Sequence, residues 1–181
     1  MTDDKKLYQS WKGIFDRCYS SSFHRKRPTY IGCTVSEEWH LLSNYKKWYE
    51  ENYVEGWQID KDLLFPRNKV YSAETCLFLP LAINSLFTLR TNDRGELPLG
   101  VHYHTANKRY RAGCKNRSGN GKRLEKEFGN PTDAHFWYLE KKITVIDSYL
   151  IEDYNEKIKQ GLTNWKTLLQ EHLDNRVEFV P

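Results

Sequence analysis

Long apolar runs are missing from this chain of 181 residues. None approaches the roughly 18 residues of a membrane-spanning helix. A mean hydropathy of −0.80 points to a soluble protein with no membrane partner. The opening stretch MTDDKKLYQSW lacks the apolar core of a secretory signal, so no export is expected. Cysteine is scarce: Cys18, Cys33, Cys76 and Cys114 form no close pair, which fits reduced thiols in a cytoplasm. Internal repeats and low-complexity segments are absent. An excess of one charge is missing too, since 28 Lys and Arg face 24 Asp and Glu. A net +4 says little about a nucleic-acid partner, and the distribution of charge says more. The length allows one ordinary domain or two small ones.

What is present begins with helical periodicity. Leu7, Trp11, Ile14, Phe15 and Cys18 recur at spacings of three and four, the mark of a helix with one buried face. Residues 20–34 break the pattern and read as a loop. That loop holds His24-Arg25-Lys26-Arg27, which suits either a phosphate contact or a solvated surface. Ser36 is placed to cap a second helix, with Glu37 and Glu38 at its positive end. Trp39, Leu42, Tyr45, Trp48 and Tyr49 repeat at helical spacing to about Glu51 and read as core.

The stretch WQIDKDLLFPRNKVYSAETCLFLPLAIN, Trp57–Asn84, is the most informative. Ile59-Asp60-Lys61-Asp62 reads as a strand end, and a loop with Pro66, Asn68 and Ser72 follows. Cys76–Leu79 is a second apolar run, and Pro80 opens a short helix carrying Asn84. This order resembles the ββα-metal core of HNH nucleases, in the divergent form seen in phage homing-endonuclease-like proteins. The resemblance extends through Trp11, Arg17-Cys18-Tyr19, Pro28-Thr29-Tyr30, Gly32-Cys33, Glu38-Trp39 and Tyr71-Ser72. It implies Asp60 and Asn84 as oxygen ligands of Mg²⁺ or Mn²⁺, which would stabilise the pentacovalent phosphate. Lys61 stands where the family has its general-base histidine. A lysine, with a reference pKa near ~10.4, suits a phosphate contact better than proton abstraction. Asp62 is a substitute base under this reading, and Thr75 stands where the family has the asparagine that orients the base. Taken alone, Asp60-Lys61-Asp62 is equally a polar strand end and Asn84 a helix-terminal hydrogen bonder. A structural zinc ion held by Cys18, Cys33 and Cys76 with His24 or His40 is a further option, against the commoner fate of buried free thiols.

Thr88–Pro98 has turn and charge composition and reads as a linker. Leu99-Gly100-Val101 then leads into an alternating stretch. Lys108–Ala112 is a second strand and Leu124–Phe128 a third, with a glycine-containing turn from Asn116 to Lys122. Thr132 and Asp133 cap a helix expected to reach Val145. With Gly100-Val101, Arg109-Tyr110-Arg111-Ala112, Phe128, Thr132 and Ala134, this pattern resembles the Apetala-2-type DNA-binding domain. The resemblance implies a sheet whose open face enters the major groove of double-stranded DNA. Arg109 and Arg111 share a face by strand alternation and suit phosphate or guanine edges. Seven basic residues lie between Lys108 and Arg123 with no acidic one, including Lys115, Arg117, Lys122 and Arg123. Trp165, Leu168, Leu169, His172 and Leu173 mark a final amphipathic helix that either docks on a domain or meets a partner.

The expected fold is α+β: N-terminal helices and an HNH-like ββα module in 1–90, a linker at 91–98, a three-stranded antiparallel sheet with one packed helix in 99–146, and a helical segment in 147–181. Two functions are expected. One is a site-specific, metal-dependent nicking DNA endonuclease. The other is a catalytically inactive HNH-like scaffold that binds DNA or a host protein. Either would act in the cytoplasm of an infected bacterial host.

Overall fold

Apolar spacing at the N-terminus builds α1, Asp3–Tyr19, whose buried face carries Leu7, Ile14 and Cys18. The structure is a computed structural model, and it describes residues 3–87, 95–115 and 123–180. Most of the expected linker and the expected turn from Asn116 to Lys122 lie outside the described residues. The fold is α+β, in two compact units divided between Phe87 and Thr88.

In the first unit, α1 is followed by α2, Ser21–Lys26, where the sequence suggests only a loop. Ser20 makes the difference: its hydroxyl accepts from the Phe23 amide at 3.3 Å and caps the helix, which stops at Pro28. Strand β1, Thr34–Val35, leads to a 3₁₀ turn at Glu37–His40 and then α3, Leu42–Asn52. The single helix expected from Ser36 is therefore two pieces, and the Ser36 side chain makes no capping bond. The break occurs where Trp39 turns into the core. Its carbonyl accepts from Trp11 Nε1 at 2.7 Å, and its ring meets Tyr45 edge-on at 4.9 Å. Tyr45 is fully buried, and its hydroxyl is satisfied by Ser10 Oγ at 2.7 Å.

Strand β2, Gln58–Asp60, pairs antiparallel with β4, Leu77–Leu79, and α4, Leu81–Leu86, comes directly after. The strand–loop–strand–helix order read from the sequence is thus present. Phe78 on β4 stacks on Trp48 at 5.4 Å, so the aromatic core supports this hairpin from beneath. The long connection from Lys61 contains an additional strand, β3, Val70–Tyr71, paired in parallel with β1.

In the second unit, β5 (Val101–His104), β6 (Arg109–Lys115) and β7 (Arg123–Phe128) form an antiparallel meander. Helix α5, Pro131–Leu150, begins at Asn130 and not at Thr132: Asn130 Oδ1 accepts from the Asp133 amide at 2.8 Å, and Pro131 takes the first turn. The helix runs five residues past Val145 and crosses the 146/147 boundary without interruption. Helix α6, Glu156–Asp174, packs on it through buried Ile158, Leu162, Trp165 and Leu169, and Lys166 reaches Asp147 at 2.6 Å. The C-terminal helix therefore belongs to the second unit, and of the sequence alternatives it takes docking.

Two contacts close this unit. Gly100 adopts φ +81°, and a Cβ there would lie 2.2 Å from the Tyr138 ring. Buried His135 bridges two distant segments: Nδ1 lies 2.9 Å from the Leu99 carbonyl, and Nε2 accepts from the Phe179 amide at 3.0 Å. A carbonyl at Nδ1 and an N–H at Nε2 together select the neutral Nδ1–H tautomer. Phe179 is wholly buried against Trp165 and His172.

Gly100→Ala is expected to destabilise the second unit by at least ~2 kcal/mol, combining left-handed strain with overpacking against Tyr138, as read from chemical denaturation. His135→Ala leaves the Leu99 carbonyl and the Phe179 amide without their partner. Hydrogen exchange at Phe179 should rise sharply, with a loss of about 2–4 kcal/mol in global stability.

Candidate nucleic-acid interface and metal site

The first candidate site grows from the end of β2. Asp60 Oδ1 accepts from the backbone amides of Asp62 (2.9 Å) and Leu63 (2.7 Å), so this oxygen builds the turn that leaves the strand. Oδ2 has no hydrogen-bond partner among the described residues. Burial, with the Asp62 carboxylate adding to it, pushes the Asp60 carboxyl up to about 6 against those two amides.

Lys61 is buried at 6% exposure, the opposite of a residue poised at a surface. Its ammonium donates to Asp62 Oδ1 at 2.5 Å and to the Asn68 carbonyl at 2.7 Å, and lies 5.9 Å from the centre of the Tyr71 ring. It is placed as a donor at both polar contacts. An ammonium has no acceptor, so this residue does not stand as a base in this arrangement. It also does not reach outward as a phosphate ligand. Asp62, the substitute base of the sequence reading, is engaged by that same ammonium.

The residue that orients position 61 is Asn68. Its Nδ2 donates to the Lys61 carbonyl at 2.8 Å and the Val70 carbonyl at 2.7 Å, while its Oδ1 accepts from the Val70 amide at 3.1 Å. Thr75, which the sequence reading put in that role, instead donates to the Val70 carbonyl at 2.7 Å and exchanges bonds with Ser72. Among the described residues a hydrogen bond of Asn84 on α4 runs to β2: its Nδ2 donates to Gln58 Oε1 at 2.9 Å. Gln58 and Asp60 share one face of β2 by alternation, so Gln58 ties Asn84 to the Asp60 side of the hairpin. Sequence reasoning missed Gln58 and Asn68. The signals were Gln58's spacing of two from Asp60 and Asn68's place in the Pro66-Arg67-Asn68 turn.

The side-chain oxygens of Asp60, Asn84 and Gln58 are of the hard type that Mg²⁺ or Mn²⁺ takes, and here Gln58 Oε1 is engaged by Asn84 Nδ2 and Asp60 Oδ1 by two backbone amides. Cys18, Cys33 and Cys76, the thiols considered for zinc, are buried in the core, and burial pushes Cys18 up to about 11 and Cys76 up to about 12, with Cys33 raised likewise. His24 Nε2 is occupied at the Arg17 carbonyl, 2.9 Å away, and His40 packs edge-on against Phe15. Among the described residues, no three His, Cys, Asp or Glu side chains converge.

The second candidate site is the open face of the β5–β7 sheet. Register places His102, Arg111 and Glu127 in one row and His104 beside Arg109. Gly113 lies opposite Glu125, and Lys115 opposite Arg123. The other face, with buried Val101, Ala112 and Cys114, packs on α5. Arg109 and Arg111 do share the open face, but they differ in circumstance. Arg109 is exposed and forms no ion pair among the described residues. Arg111 is half-buried and donates through Nη2 (2.7 Å) and Nε (3.2 Å) to Glu127 Oε1. Glu127 also accepts from Asn107 at 2.9 Å, and His104 Nδ1 lies 3.3 Å away. The Arg111 hydrogen bond, with help from Asn107, holds the Glu127 carboxyl below the usual range. Arg123 lies across Gly113, donating to its carbonyl at 3.1 Å and pairing with Glu125 at 3.4 Å. The acid-free run from Lys108 to Arg123 is thus met on its own face by two carboxylates from β7. Arg117 and Lys122 lie outside the described residues.

Comparison with family models, with curated proteins and with solved structures finds no match to this chain.

Because Asp60 Oδ1 supports the turn, Asp60→Ala and Asp60→Asn should separate structure from charge. Asn keeps an oxygen for both amides and should leave the thermal midpoint nearly unchanged. Ala removes two partly buried bonds and should cost about 1–3 kcal/mol by denaturant titration. Equal losses in both variants would contradict the turn-building role.

Proposed function

We propose that this chain binds duplex DNA and nicks it in a divalent-metal-dependent reaction, as a divergent ββα enzyme of the HNH type. The observation that carries the reading is the hairpin of β2 and β4 with α4. It ends in Asp60, has Asn68 holding the backbone of position 61, and has Asn84 tied to the same face through Gln58. The bond from Asn68 to the Lys61 carbonyl supports this reading at the point where Thr75 departs from the family pattern. Asp60 and Asn84 would hold Mg²⁺ or Mn²⁺, which when bound stabilises charge on the phosphate and the leaving oxygen. The sheet of the second unit would supply affinity and register, with Arg109 as its outward cation.

A second reading has a specific observation in its favour: Lys61 is locked as a donor and leaves the base position without an acceptor. On that reading the first unit is a silent scaffold that grips DNA or a host protein.

Nicking of supercoiled plasmid with Mg²⁺ or Mn²⁺ separates the two, with EDTA and Asp60→Asn as controls. Metal-dependent nicks that disappear in Asp60→Asn support the enzyme. Intact plasmid together with a retained gel shift supports the scaffold. For the sheet, Arg109→Ala should weaken duplex binding by roughly 1–3 kcal/mol. Glu127→Gln should strengthen it, because a carboxylate on the docking face repels phosphate. Unchanged affinity in both variants would remove the sheet from the interface.

A further inference from the structure

The basic run on α2 belongs to neither site above. No carboxylate occurs between Asp16 and Glu37, and none between Asp62 and Glu74. These two acid-free segments are far apart in sequence, and the parallel pairing of β1 with β3 brings them together. The Thr34 amide donates to the Lys69 carbonyl at 2.8 Å, and the Lys69 ammonium sits on the turn after α2, 2.9 Å from the Thr29 carbonyl and 3.4 Å from that of Ile31. Arg25, Lys26, Arg27, Arg67 and Lys69 are each exposed, and of these Lys69 lies against the turn that follows α2. Lys6, Lys12, Lys46 and Lys61 of the same unit each pair with a carboxylate. Among the described residues Arg25, Lys26, Arg27 and Lys69 pair with none.

The platform is packed rather than loose. Ser20 caps α2, His24 ties it to the Arg17 carbonyl, and Phe23 meets Tyr30 edge-on at 5.4 Å. Exposed like charges on a fixed surface raise the local potential and repel one another unless an anion is present. Three of the five are arginines, whose forked guanidinium groups match phosphate oxygens in pairs. The loop from Asp60 to Val70 also carries both Asp60 and the cations Arg67 and Lys69, so the same loop links this patch to the candidate metal site.

We infer that this face of the first unit is a phosphate-backbone grip for nucleic acid, formed by Arg25, Lys26 and Arg27 of the α2 region with Arg67 and Lys69 of the adjoining loop. The inference rests on the reading of the chain as a DNA binder and adds to it a second basic surface, in the other unit. Contacts here are to the backbone, so the grip adds affinity without sequence preference.

The test uses the full chain and a labelled duplex, with affinity measured by anisotropy across a salt series. The variants are Arg25→Gln/Lys26→Gln/Arg27→Gln together, and Arg109→Gln alone. The triple variant should lower the slope of log affinity against log salt by about two to three, one unit per lost phosphate contact, equally for unrelated sequences. An unchanged slope in the triple variant, with binding weakened by Arg109→Gln, overturns the grip and leaves the sheet interface standing. The reverse pattern supports the grip and removes the sheet. No duplex binding by the wild type at low salt overturns both. Vesicles containing phosphatidylserine form the last arm: binding to them that the triple variant abolishes, with DNA affinity untouched, assigns the patch to a lipid surface and overturns the grip.

Discussion

A buried ammonium group sets the terms for the first unit. Lys61 is taken out of water at the end of β2, and a charge in such a place must find partners or unfold its surroundings. It finds Asp62 beside it and the Asn68 carbonyl across the loop. Asn68 completes the exchange by donating to the Lys61 carbonyl, which closes residues 61–68 into a ring of reciprocal bonds. Arg67, just before it, accepts a left-handed backbone at φ 67° to make that geometry. Asp62 keeps 38% of its side-chain exposure, so water screens this pair, and the reciprocal bonds between Lys61 and Asn68 share the ordering of the loop. Everything near it inherits this order: β3 comes directly after the clamp, and β3 in turn gives β1 its only strand partner among the described residues.

The sheet of the second unit obeys a different constraint. Its open face is a competition between internal and external partners for the same arginine forks. Arg111 and Arg123 are already satisfied by Glu127, Glu125 and the Gly113 carbonyl. A DNA ligand would need to offer more than these carboxylates do, whereas Arg109 has nothing to surrender. Electrostatic selectivity in such a surface comes from the cost of the exchange as much as from the final contacts.

Much of the architecture was legible because it rests on periodicity. The 3.6-residue repeat from Leu7 to Cys18 and the apolar runs at Ile59 and Leu77–Leu79 each gave the right element. So did the basic strand at Arg109. What escaped were features carried by single polar side chains. Ser20 and Asn130 decide where helices begin, while Ser36 and Thr132 look equally able to do so in the sequence. The two-residue strands β1 and β3 are too short to show alternation and exist only because each finds the other. At the candidate site, Asp60 and Asn84 were visible, but their present partners were not. Nor was the meeting of Glu127 with Arg111, since a sequence of one sign gives no notice of the strand that will lie beside it.

The bond from Phe179 to His135 makes the second unit depend on a segment beyond α6. The imidazole near the start of α5 is buried, and its Nε2 takes its partner from residue 179, 44 positions further on. Release of that segment leaves a buried ring nitrogen without its donor and uncovers the contacts of Phe179 with Trp165 and His172. The first unit keeps its clamp within one loop, since Lys61 and Asn68 stand seven positions apart.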